Sequence, residues 1–409
     1  MLLALDFFDK ICYHTPMKKL YYITTYGCQL NVHESEKLAG VLEGLGFTCA
    51  TSLEEADVIV FNTCAIRAGA EDRAFGNIGA LKRLKKENPS KIIAVCGCMT
   101  QSAENAEYVY KTFPFVDIIF GTANLYLFKQ FLENHDGKHK MYHSDEYNLL
   151  GEDMPKFRTS GENAWVNIMQ GCNNFCTYCI VPYVRGRERS RSKEDILAEI
   201  KELISSGKYK KITLLGQNVN SYGNDTKQCN FATLLKEICA LEGDFKLTFM
   251  TSHPKDFSSE VIDIIKTENK MLKEIHLPVQ SGSSKILRAM NRGYTREKYL
   301  GIIDEIKQKI PNIKLSTDII VGFPNETEED FQETITLLKY VQYDNVFAFM
   351  YSPRAGTPAA KMAGQIDQKI KNLRVNEVLA CAKEFKKKEV ENVTNQRKNI
   401  KNDGAISPN

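Results

Sequence analysis

Three cysteines fall within eight positions of the 409-residue chain, at Cys172, Cys176 and Cys179, with the spacing C-x3-C-x2-C. A loop this short can direct three thiolates at one centre. Four thiolates would complete a zinc site or a [4Fe-4S] cluster, whereas three thiolates on a [4Fe-4S] cluster leave one iron without a protein ligand. A small molecule can bind and be reduced at such an iron. The alternative is a structural zinc loop whose fourth ligand lies elsewhere in the chain.

Three further cysteines each follow an apolar, strand-like run in the first half of the chain. They are Cys28 after 20–25, Cys64 after 57–62 and Cys98 after 91–95. Ligands collect at the carboxyl edge of open parallel sheets, so the three thiols are expected to converge on a second site. The alternative is that they are small buried hydrophobic residues, as most free cysteines are. Cys96 is interpreted as a strand residue rather than a ligand.

The elements around these three cysteines alternate between strand and helix. A fourth apolar run covers 116–120, and helical periodicity is found at 34–45, 69–86 and 125–132. This alternation predicts a small parallel sheet that is covered by helices on both faces. The first half of the chain is therefore expected to form an α/β domain.

The second half of the chain repeats the alternation of strand and helix. The predicted strands are 164–169, 211–216, 246–251, 274–278, 314–320 and 345–350, and the predicted helices are 193–206, 231–241, 258–267, 296–309 and 327–340. Six units in series predict a partial (β/α)6 barrel, because a complete eight-fold barrel needs about 250 residues and fewer remain. Thr327 is expected to cap the last of these helices, with acidic residues in its first turn.

Polar side chains near the strand ends are candidates for binding a cofactor or a substrate. In barrels of parallel strands, the residues after each strand line the active face. Gln217 follows the second predicted strand, Gln280 and Ser281 follow the fourth, and Asp318 lies late in the fifth. Each of them could instead be a loop or helix-cap residue. His276 is expected to be a hydrogen-bonded histidine of the core or rim.

Arginines occupy every second position shortly after the C-x3-C-x2-C loop, at Arg185, Arg187, Arg189 and Arg191. In an extended chain, alternate residues share one side. Guanidinium groups suit phosphate oxygens, so the pattern favours an RNA backbone that passes the mouth of the barrel. The alternative is a solvated basic loop.

The composition is that of an ordinary globular protein, with 43% apolar and 26% charged residues. A net charge of +3 is too small to indicate nucleic-acid binding by itself. The 12 cysteines are too sparse for a disulfide scaffold, and their clusters indicate metal ligation in a reducing cytosol. The sequence contains no apolar run of membrane-spanning length and no signal-peptide pattern. We therefore expect a cytoplasmic protein without a membrane partner.

Four motifs carry a resemblance to a known family of enzymes. The C-x3-C-x2-C loop resembles that of the radical S-adenosylmethionine (SAM) enzymes. Three segments resemble motifs of the methylthiotransferase family within that group: Tyr26–Asn31 (YGCQLN), Asn62–Arg67 (NTCAIR) and Gly97–Gln101 (GCMTQ). The resemblance covers about residues 20–390, and a partial barrel is the fold that it implies for the second domain.

The resemblance also implies two [4Fe-4S] clusters and the use of two SAM molecules per turnover. The implied ligands are Cys172, Cys176 and Cys179 for the cluster that binds SAM, and Cys28, Cys64 and Cys98 for an auxiliary cluster implicated in sulfur donation. The strand-end residues named above, Gln217, Gln280, Ser281 and Asp318, would contact SAM or the reacting nucleoside.

Within this family, the segment Cys176–Tyr183 (CTYCIVPY) resembles the members that modify tRNA rather than those that act on a ribosomal protein. The implied reaction replaces C2–H of an N6-isopentenyladenosine beside the anticodon, at tRNA position 37, by C–S–CH3. The implied partners are tRNA and a reductant such as flavodoxin or ferredoxin, and we expect a monomer. Two alternatives remain: methylthiolation of threonylcarbamoyl adenosine in tRNA, and a non-catalytic, metal-containing RNA-binding protein.

Changes in composition divide the chain into five parts. They are an extension at 1–16 before a plausible natural start, an N-terminal domain at 17–135, a polar linker at 136–160, the radical SAM barrel at 161–365, and a C-terminal helix with a polar tail at 366–409. Members of the family usually continue into a small C-terminal β-domain called TRAM. The tail has no strand pattern, so this domain is expected to be absent.

Overall fold

A computed structural model describes residues 19–65, 68–144, 146–147, 151–159 and 161–403, with only the backbone described at 68–70 and 386–403. The predicted extension at 1–16 and the end of the predicted tail, at 404–409, lie outside the described residues. Among the helices of the described part of the chain, none is long and apolar enough to cross a membrane.

The N-terminal domain is a parallel sheet with helices on both faces, which confirms the predicted α/β fold. Its strands are β1 Lys19–Thr25, β2 Phe47–Cys49, β3 Val58–Thr63, β4 Ile92–Gly97, β5 Ile118–Phe120 and β6 Lys140–Tyr142. Its helices are α1 Gln29–Gly44, α2 Ala68–Glu87, α3 Cys98–Gln101, α4 Ala103–Thr112 and α5 Phe128–Glu133. The strand order is β2-β1-β3-β4-β5-β6, and all neighbouring strands are parallel.

Burial on both faces explains why the central strand β3 is a continuous apolar run. Val58 and Val60 pack in the core on one face, which also contains Leu38 of α1. Ile59 and Phe61 pack in the core on the opposite face. The short strands β2 and β6 have no counterpart among the predicted elements, because three residues are too few to show a period.

The second domain has six parallel barrel strands, and the predicted partial barrel is confirmed. In chain order, the strands of this domain are β7 Asn163–Asn167, β8 Met169–Gln170, β9 Arg189–Ser190, β10 Lys211–Leu215, β11 Lys246–Phe249, β12 Glu274–His276, β13 Lys314–Val321 and β14 Asn345–Met350, and all except β8 and β9 belong to the barrel. Strands β7, β10 and β11 form one ladder, and β12, β13 and β14 form the other. A parallel bridge between Leu247 and Met271 joins the two ladders, while β8 and β9 form a small antiparallel pair.

The helices of this domain lie between its strands and after the last strand. They are α6 Val181–Arg185, α7 Lys193–Ser205, α8 Phe231–Ala240, α9 Ser259–Thr267, α10 Ser284–Ala289, α11 Arg296–Lys309, α12 Glu328–Val341 and α13 Gln368–Asp403. Thr327 caps α12 as predicted, through a reciprocal capping box with Asp330. Helix α13 continues to Asp403, so the predicted C-terminal helix extends into part of the predicted polar tail.

Buried charges join the two domains. Glu152, in the predicted linker, accepts hydrogen bonds from Lys37 Nζ of α1 at 2.6 Å and from Asn167 Nδ2 of β7 at 2.8 Å. His33 Nε2 lies 3.2 Å from the same carboxylate. Because Glu152 contacts both α1 and β7, the described residues of this segment are a packed part of the domain interface.

Candidate active site

Cys28, Cys64 and Cys98 lie at the carboxyl edge of the N-terminal sheet, after the adjacent strands β1, β3 and β4. Gly27 has a positive φ of 108°, and a Cβ at this position would lie 2.6 Å from the Cβ of Cys64. Only glycine therefore lets the turn before Cys28 rest directly on Cys64. Cys64 and Cys98 are buried, whereas Cys28 is half-buried. The structure thus brings the three thiols to one edge of the sheet.

Asn31, in the first turn of α1, connects the three segments that carry these cysteines. Its amide nitrogen donates to the carbonyl of Tyr26 at 2.8 Å and to that of Thr63 at 2.9 Å. Its Oδ1 lies 3.8 Å from the Sγ of Cys28 and 4.0 Å from the Sγ of Cys98. Asn31 is completely buried, so its side chain fixes the positions of all three segments relative to one another.

Arg185, from the second domain, reaches the same group of cysteines. Its Nε and Nη2 donate to the Sγ of Cys98 at 3.1 and 3.0 Å, and Nη2 also donates to Asn31 Oδ1 at 3.0 Å. Both Nη atoms of Arg185 donate to the carboxylate of Glu34. The guanidinium is therefore held between a carboxylate and a thiol, at the interface of the two domains.

The other three cysteines lie in the loop between β8 and α6. Gly171 begins this loop with a φ of 81°, and any Cβ there would collide with the carbonyl of Arg187. The backbone N–H of Cys172 donates to Gly186 O at 3.2 Å, and that of Cys179 donates to Cys176 O at 2.9 Å. These contacts fold the loop back on itself, so that one short segment carries all three thiols.

A second buried guanidinium lies against this loop. Arg292 donates from Nη1 to the Sγ of Cys176 and to the hydroxyl of Tyr178, each at 3.3 Å. Its Nη2 donates to the carbonyl of Pro278 at 3.0 Å. His253, which follows β11, has its Nε2 4.0 Å from the Sγ of Cys176. Each group of three cysteines therefore has one buried arginine in contact with a sulfur.

The chemistry of these thiols fits [4Fe-4S] clusters. Burial raises the pKa of Cys172 to about 11 and the pKa values of Cys98 and Cys179 to about 12, so a metal centre is needed to stabilise the thiolates. Among the described residues, no three Cys, His, Asp or Glu side chains are grouped so that they could hold a single metal ion.

One cavity of about 560 Å³ connects the barrel interior with the N-terminal domain. Cys28 and Gln29 border it from the N-terminal domain, and Gln217, His276 and Asp318 border it from the barrel. Arg185 also lines this cavity. A molecule in the barrel would therefore lie beside a cysteine of the N-terminal group.

Of the four predicted strand-end residues, Gln217 and Asp318 line the cavity, whereas Gln280 and Ser281 do not. Gln217 lines it and accepts a hydrogen bond from the backbone N–H of Gly171, while Asp318 Oδ2 lies 3.6 Å from His276 Nε2. Gln280 has a positive φ of 71°, and its side-chain oxygen is buried without a hydrogen-bond partner among the described residues. Ser281 is completely buried beneath α12 and does not line the cavity.

The predicted arrangement of the four arginines is wrong. Residues 181–185 form α6, so Arg185 and Arg187 do not lie on one extended strand. Arg185 and Arg191 are buried, and Arg191 donates to Glu199 at 2.8 Å and to a backbone carbonyl at 2.7 Å. Arg189 is half-buried and donates to backbone carbonyls. Arg187 alone of the four is exposed, because buried carboxylates and carbonyls bind the others.

Sequence reasoning missed three polar residues of the site. Asn31 belongs to the first motif, and Glu34 follows it by three residues. Their position next to Cys28 was the only sequence signal that they belong to the site. Arg292 lies in the loop between α10 and α11, where no pattern links it to a cysteine 116 residues earlier.

Each of the two domains matches a known protein family. Residues 20–121 match the profile described as uncharacterized protein family UPF0004, and residues 166–338 match the radical SAM superfamily. The second match contains the C-x3-C-x2-C loop, and the first contains the other three cysteines.

Curated relatives and a solved structure extend this comparison. The chain is 52% identical over 378 residues to the tRNA-2-methylthio-N(6)-dimethylallyladenosine synthase of Clostridium tetani, with 90% of this chain and 83% of the relative covered. The enzyme of the same name from Clostridium botulinum is 53% identical over 371 residues, covering 90% and 82%. The structure of the radical SAM methyltransferase TsrM from Kitasatospora setae superimposes with a TM-score of 0.58 at 13% identity, covering 84% of this chain and 74% of TsrM, and supports the fold. The chain therefore belongs to the family of tRNA-2-methylthio-N(6)-dimethylallyladenosine synthases within the radical SAM superfamily.

Proposed function

We propose that this protein is a tRNA methylthiotransferase that converts N6-isopentenyladenosine at position 37 to its 2-methylthio derivative. The observation that carries the proposal is the cavity shared by the two domains, which is bordered by Cys28 on one side and by the barrel interior on the other. A substrate in this cavity would lie beside Cys28 and beside Gln217, which accepts a hydrogen bond from the backbone N–H of Gly171 at the start of the other cysteine loop. The names of the curated relatives supply the substrate class.

Two [4Fe-4S] clusters and SAM are the cofactors of this proposal, and the two groups of cysteines are their proposed ligands. Cys172, Cys176 and Cys179 would hold the cluster that binds SAM, and the N-terminal group would hold the auxiliary cluster. When bound, the clusters and two SAM molecules supply the radical chemistry, sulfur and methyl group that replace C–H by C–S–CH3.

The side chains of the barrel would bind and orient the substrate. Trp165, Phe347 and Phe349 line the cavity and offer aromatic surfaces to a purine base and an apolar isopentenyl group. Asp318 and His276 supply polar groups on the same wall, where they can accept or donate hydrogen bonds to the nucleoside or to SAM. The names of the curated relatives, rather than this lining, favour the isopentenyl substituent over the threonylcarbamoyl group.

An exposed aromatic and basic rim beside the cluster loop would contact tRNA. The guanidinium of Arg187 lies 4.4 Å from the ring centroid of Phe175, and that of Arg189 lies 5.0 Å from the ring centroid of Tyr147. Tyr183 is 44% exposed on the same rim. Arginines and aromatic rings together suit phosphates and unstacked bases. A reductant such as flavodoxin or ferredoxin would be the second partner of a monomeric enzyme.

The test is turnover of defined tRNA under anaerobic conditions. Purified protein is incubated with SAM, a reductant and tRNA that carries N6-isopentenyladenosine, and the digested nucleosides are quantified by mass spectrometry. We expect the 2-methylthio derivative from this tRNA and none from tRNA that carries threonylcarbamoyl adenosine. Product from only the second tRNA would replace the proposed substrate with the alternative one. Binding of tRNA without SAM cleavage would favour the non-catalytic alternative.

Metal analysis tests the proposed ligands separately from turnover. Iron and acid-labile sulfide are measured per chain in the wild type and in two triple-alanine variants, one for each group of cysteines. About eight irons in the wild type and about four in each variant are expected, at four irons per cluster. If the wild type holds only about four irons per chain, and the variant without the N-terminal cysteines holds the same number, the protein has no auxiliary cluster. The proposed reaction would then be wrong.

A further inference from the structure

A short segment of the barrel domain connects the two groups of cysteines. Helix α6 begins two residues after Cys179 and ends at Arg185, whose guanidinium contacts the Sγ of Cys98. Within α6, Val184 packs with Cys98 and Ala65 in one small apolar cluster, and its carbonyl accepts a hydrogen bond from Thr122 at 2.7 Å. The segment is therefore fixed at both ends, with a thiol of each group beside it.

The contacts of Arg185 form a complete charged network in the interior. Arg185 and Glu34 are each 2% exposed, and two guanidinium nitrogens face the carboxylate while two face the sulfur. Buried charges of this kind are stable only when their hydrogen bonds are satisfied. Glu34 belongs to the N-terminal domain, so the network forms only when the two domains are assembled.

Nearby charges and hydrogen bonds to the sulfurs are among the factors that set the reduction potential of an iron–sulfur cluster, together with cluster type and solvent exposure. Reduction adds negative charge to the cluster, and a guanidinium beside a ligating sulfur stabilises that charge. N–H groups that donate to the sulfur also raise the reduction potential, while a nearby carboxylate lowers it. The positions of Arg185 and Glu34 thus give them opposing electrostatic effects on any cluster bound at Cys98.

We propose that Arg185 is a positioning residue that raises the reduction potential of the auxiliary cluster, and that Glu34 holds Arg185 in place and opposes part of its charge. This inference deepens the proposed function, because it assumes that Cys28, Cys64 and Cys98 hold that cluster. Since α6 follows the C-x3-C-x2-C loop directly, the same contact fixes the auxiliary site against the loop that would bind the SAM cluster.

The experiment is a redox titration of the auxiliary cluster followed by electron paramagnetic resonance. It is carried out on the full chain with both clusters and repeated in a Cys172→Ala, Cys176→Ala, Cys179→Ala background, where only the auxiliary signal remains. The variants are Arg185→Met, Arg185→Lys and Glu34→Gln. The control is Arg83→Met, which removes the same charge from an arginine that is 77% exposed on α2.

The Arg185 and Glu34 variants are expected to shift the midpoint potential of the auxiliary cluster in opposite directions. Arg185→Met should lower the midpoint potential, Arg185→Lys should lower it less because the charge remains, and Glu34→Gln should raise it. Arg83→Met should leave it unchanged. A purely structural role would instead lower the iron content in every variant and leave the potential of the loaded fraction unmoved. If Arg185→Met does not load a cluster, Arg185→Lys and Glu34→Gln still give shifts of opposite sign.

The outcomes separate this inference from the proposed function. A wild type with about eight irons and normal product, but with unshifted potentials in the Arg185 and Glu34 variants, overturns the role of Arg185 alone. Shifts of the same sign in Arg185→Met and Glu34→Gln also overturn it. A wild type without an auxiliary signal overturns the proposed function, and the inference falls with it.

Discussion

Lys37 of α1 and Glu152 of the segment between the domains form an ion pair of 2.6 Å, measured from Nζ to Oε1, in which the lysine side chain is completely buried. The carboxylate also accepts a hydrogen bond from Asn167 at the end of β7. Surrounding charges, with Lys37 the foremost favourable one, hold the pKa of Glu152 well below its usual range although burial acts to raise it. The pair therefore fixes α1 to the barrel and with it the separation of the two groups of cysteines.

Removing either member of this pair is expected to destabilise the protein. Glu152→Gln should cost about 3–5 kcal/mol, because Lys37 would then be a buried charge without its counter-ion. Lys37→Met should cost less, since Glu152 keeps Asn167 as a donor and Arg191 at 4.0 Å. The double variant should cost less than the sum of the single variants. Midpoint denaturation temperatures of the four proteins, measured anaerobically, check this order, and additive costs would contradict it.

Acid should weaken the same interface through His33. Burial is the main cause that lowers the pKa of His33, so the folded protein keeps this imidazole neutral while the unfolded chain binds a proton near pH 6.5. Stability is therefore lost as the pH falls below about 6.5, by up to about 1.4 kcal/mol per pH unit for this group. The charged groups that act on His33 are Glu36, Lys37, Glu152 and Glu199.

The measurement is the denaturation midpoint of the wild type and of His33→Gln between pH 7.5 and pH 5.5. The variant should lose less stability across this range than the wild type does, whatever its stability at pH 7.5. Parallel curves for the wild type and His33→Gln would show that His33 contributes nothing to the pH dependence.

The N-terminal cysteines and Arg185 show how much of the site could be predicted from the sequence. The position of Cys28, Cys64 and Cys98 followed from apolar runs whose carboxyl ends share one edge in a parallel sheet, so local pattern sufficed. The role of Arg185 could not be predicted in this way, because its carboxylate partner Glu34 lies 151 residues earlier. Arginines at alternate positions share one side only if the backbone is extended. Residues 181–185 are helical, so this rule does not apply to Arg185.

Arg187 and Arg191 should respond to substitution in opposite ways, although they are four residues apart. Arg187→Ala removes an exposed guanidinium and should leave stability within about 0.5 kcal/mol, while it weakens tRNA binding and lowers the salt slope of log Kd by about one. Arg191→Ala breaks buried hydrogen bonds to Glu199 and Asn167 and should lower the denaturation temperature. Filter binding at several salt concentrations and thermal denaturation separate the two effects. Equal losses of stability would contradict the assignment.

Asp318 is expected to act on the substrate or SAM rather than on the clusters. Its carboxylate lines the cavity beside His276, and 28% of its side chain is exposed there. Asp318→Asn keeps the size of the side chain but removes its charge, and the KM for SAM or tRNA should rise about ten-fold or more if a charged hydrogen bond is lost, since such a bond contributes about 1.5–3 kcal/mol. Iron should stay at about eight per chain, because no cysteine is altered.

Glu260→Gln is the matched control for Asp318→Asn. Glu260 lies in the first turn of α9, where its half-exposed carboxylate pairs with Lys236 at 2.9 Å, and it does not line the cavity. This substitution also removes one carboxylate charge and should leave product formation unchanged. Steady-state kinetics with SAM and tRNA varied in turn identify which ligand Asp318 contacts. Normal kinetics in Asp318→Asn, or an equal defect in Glu260→Gln, would show that the wall formed by Asp318 and His276 does not bind either ligand.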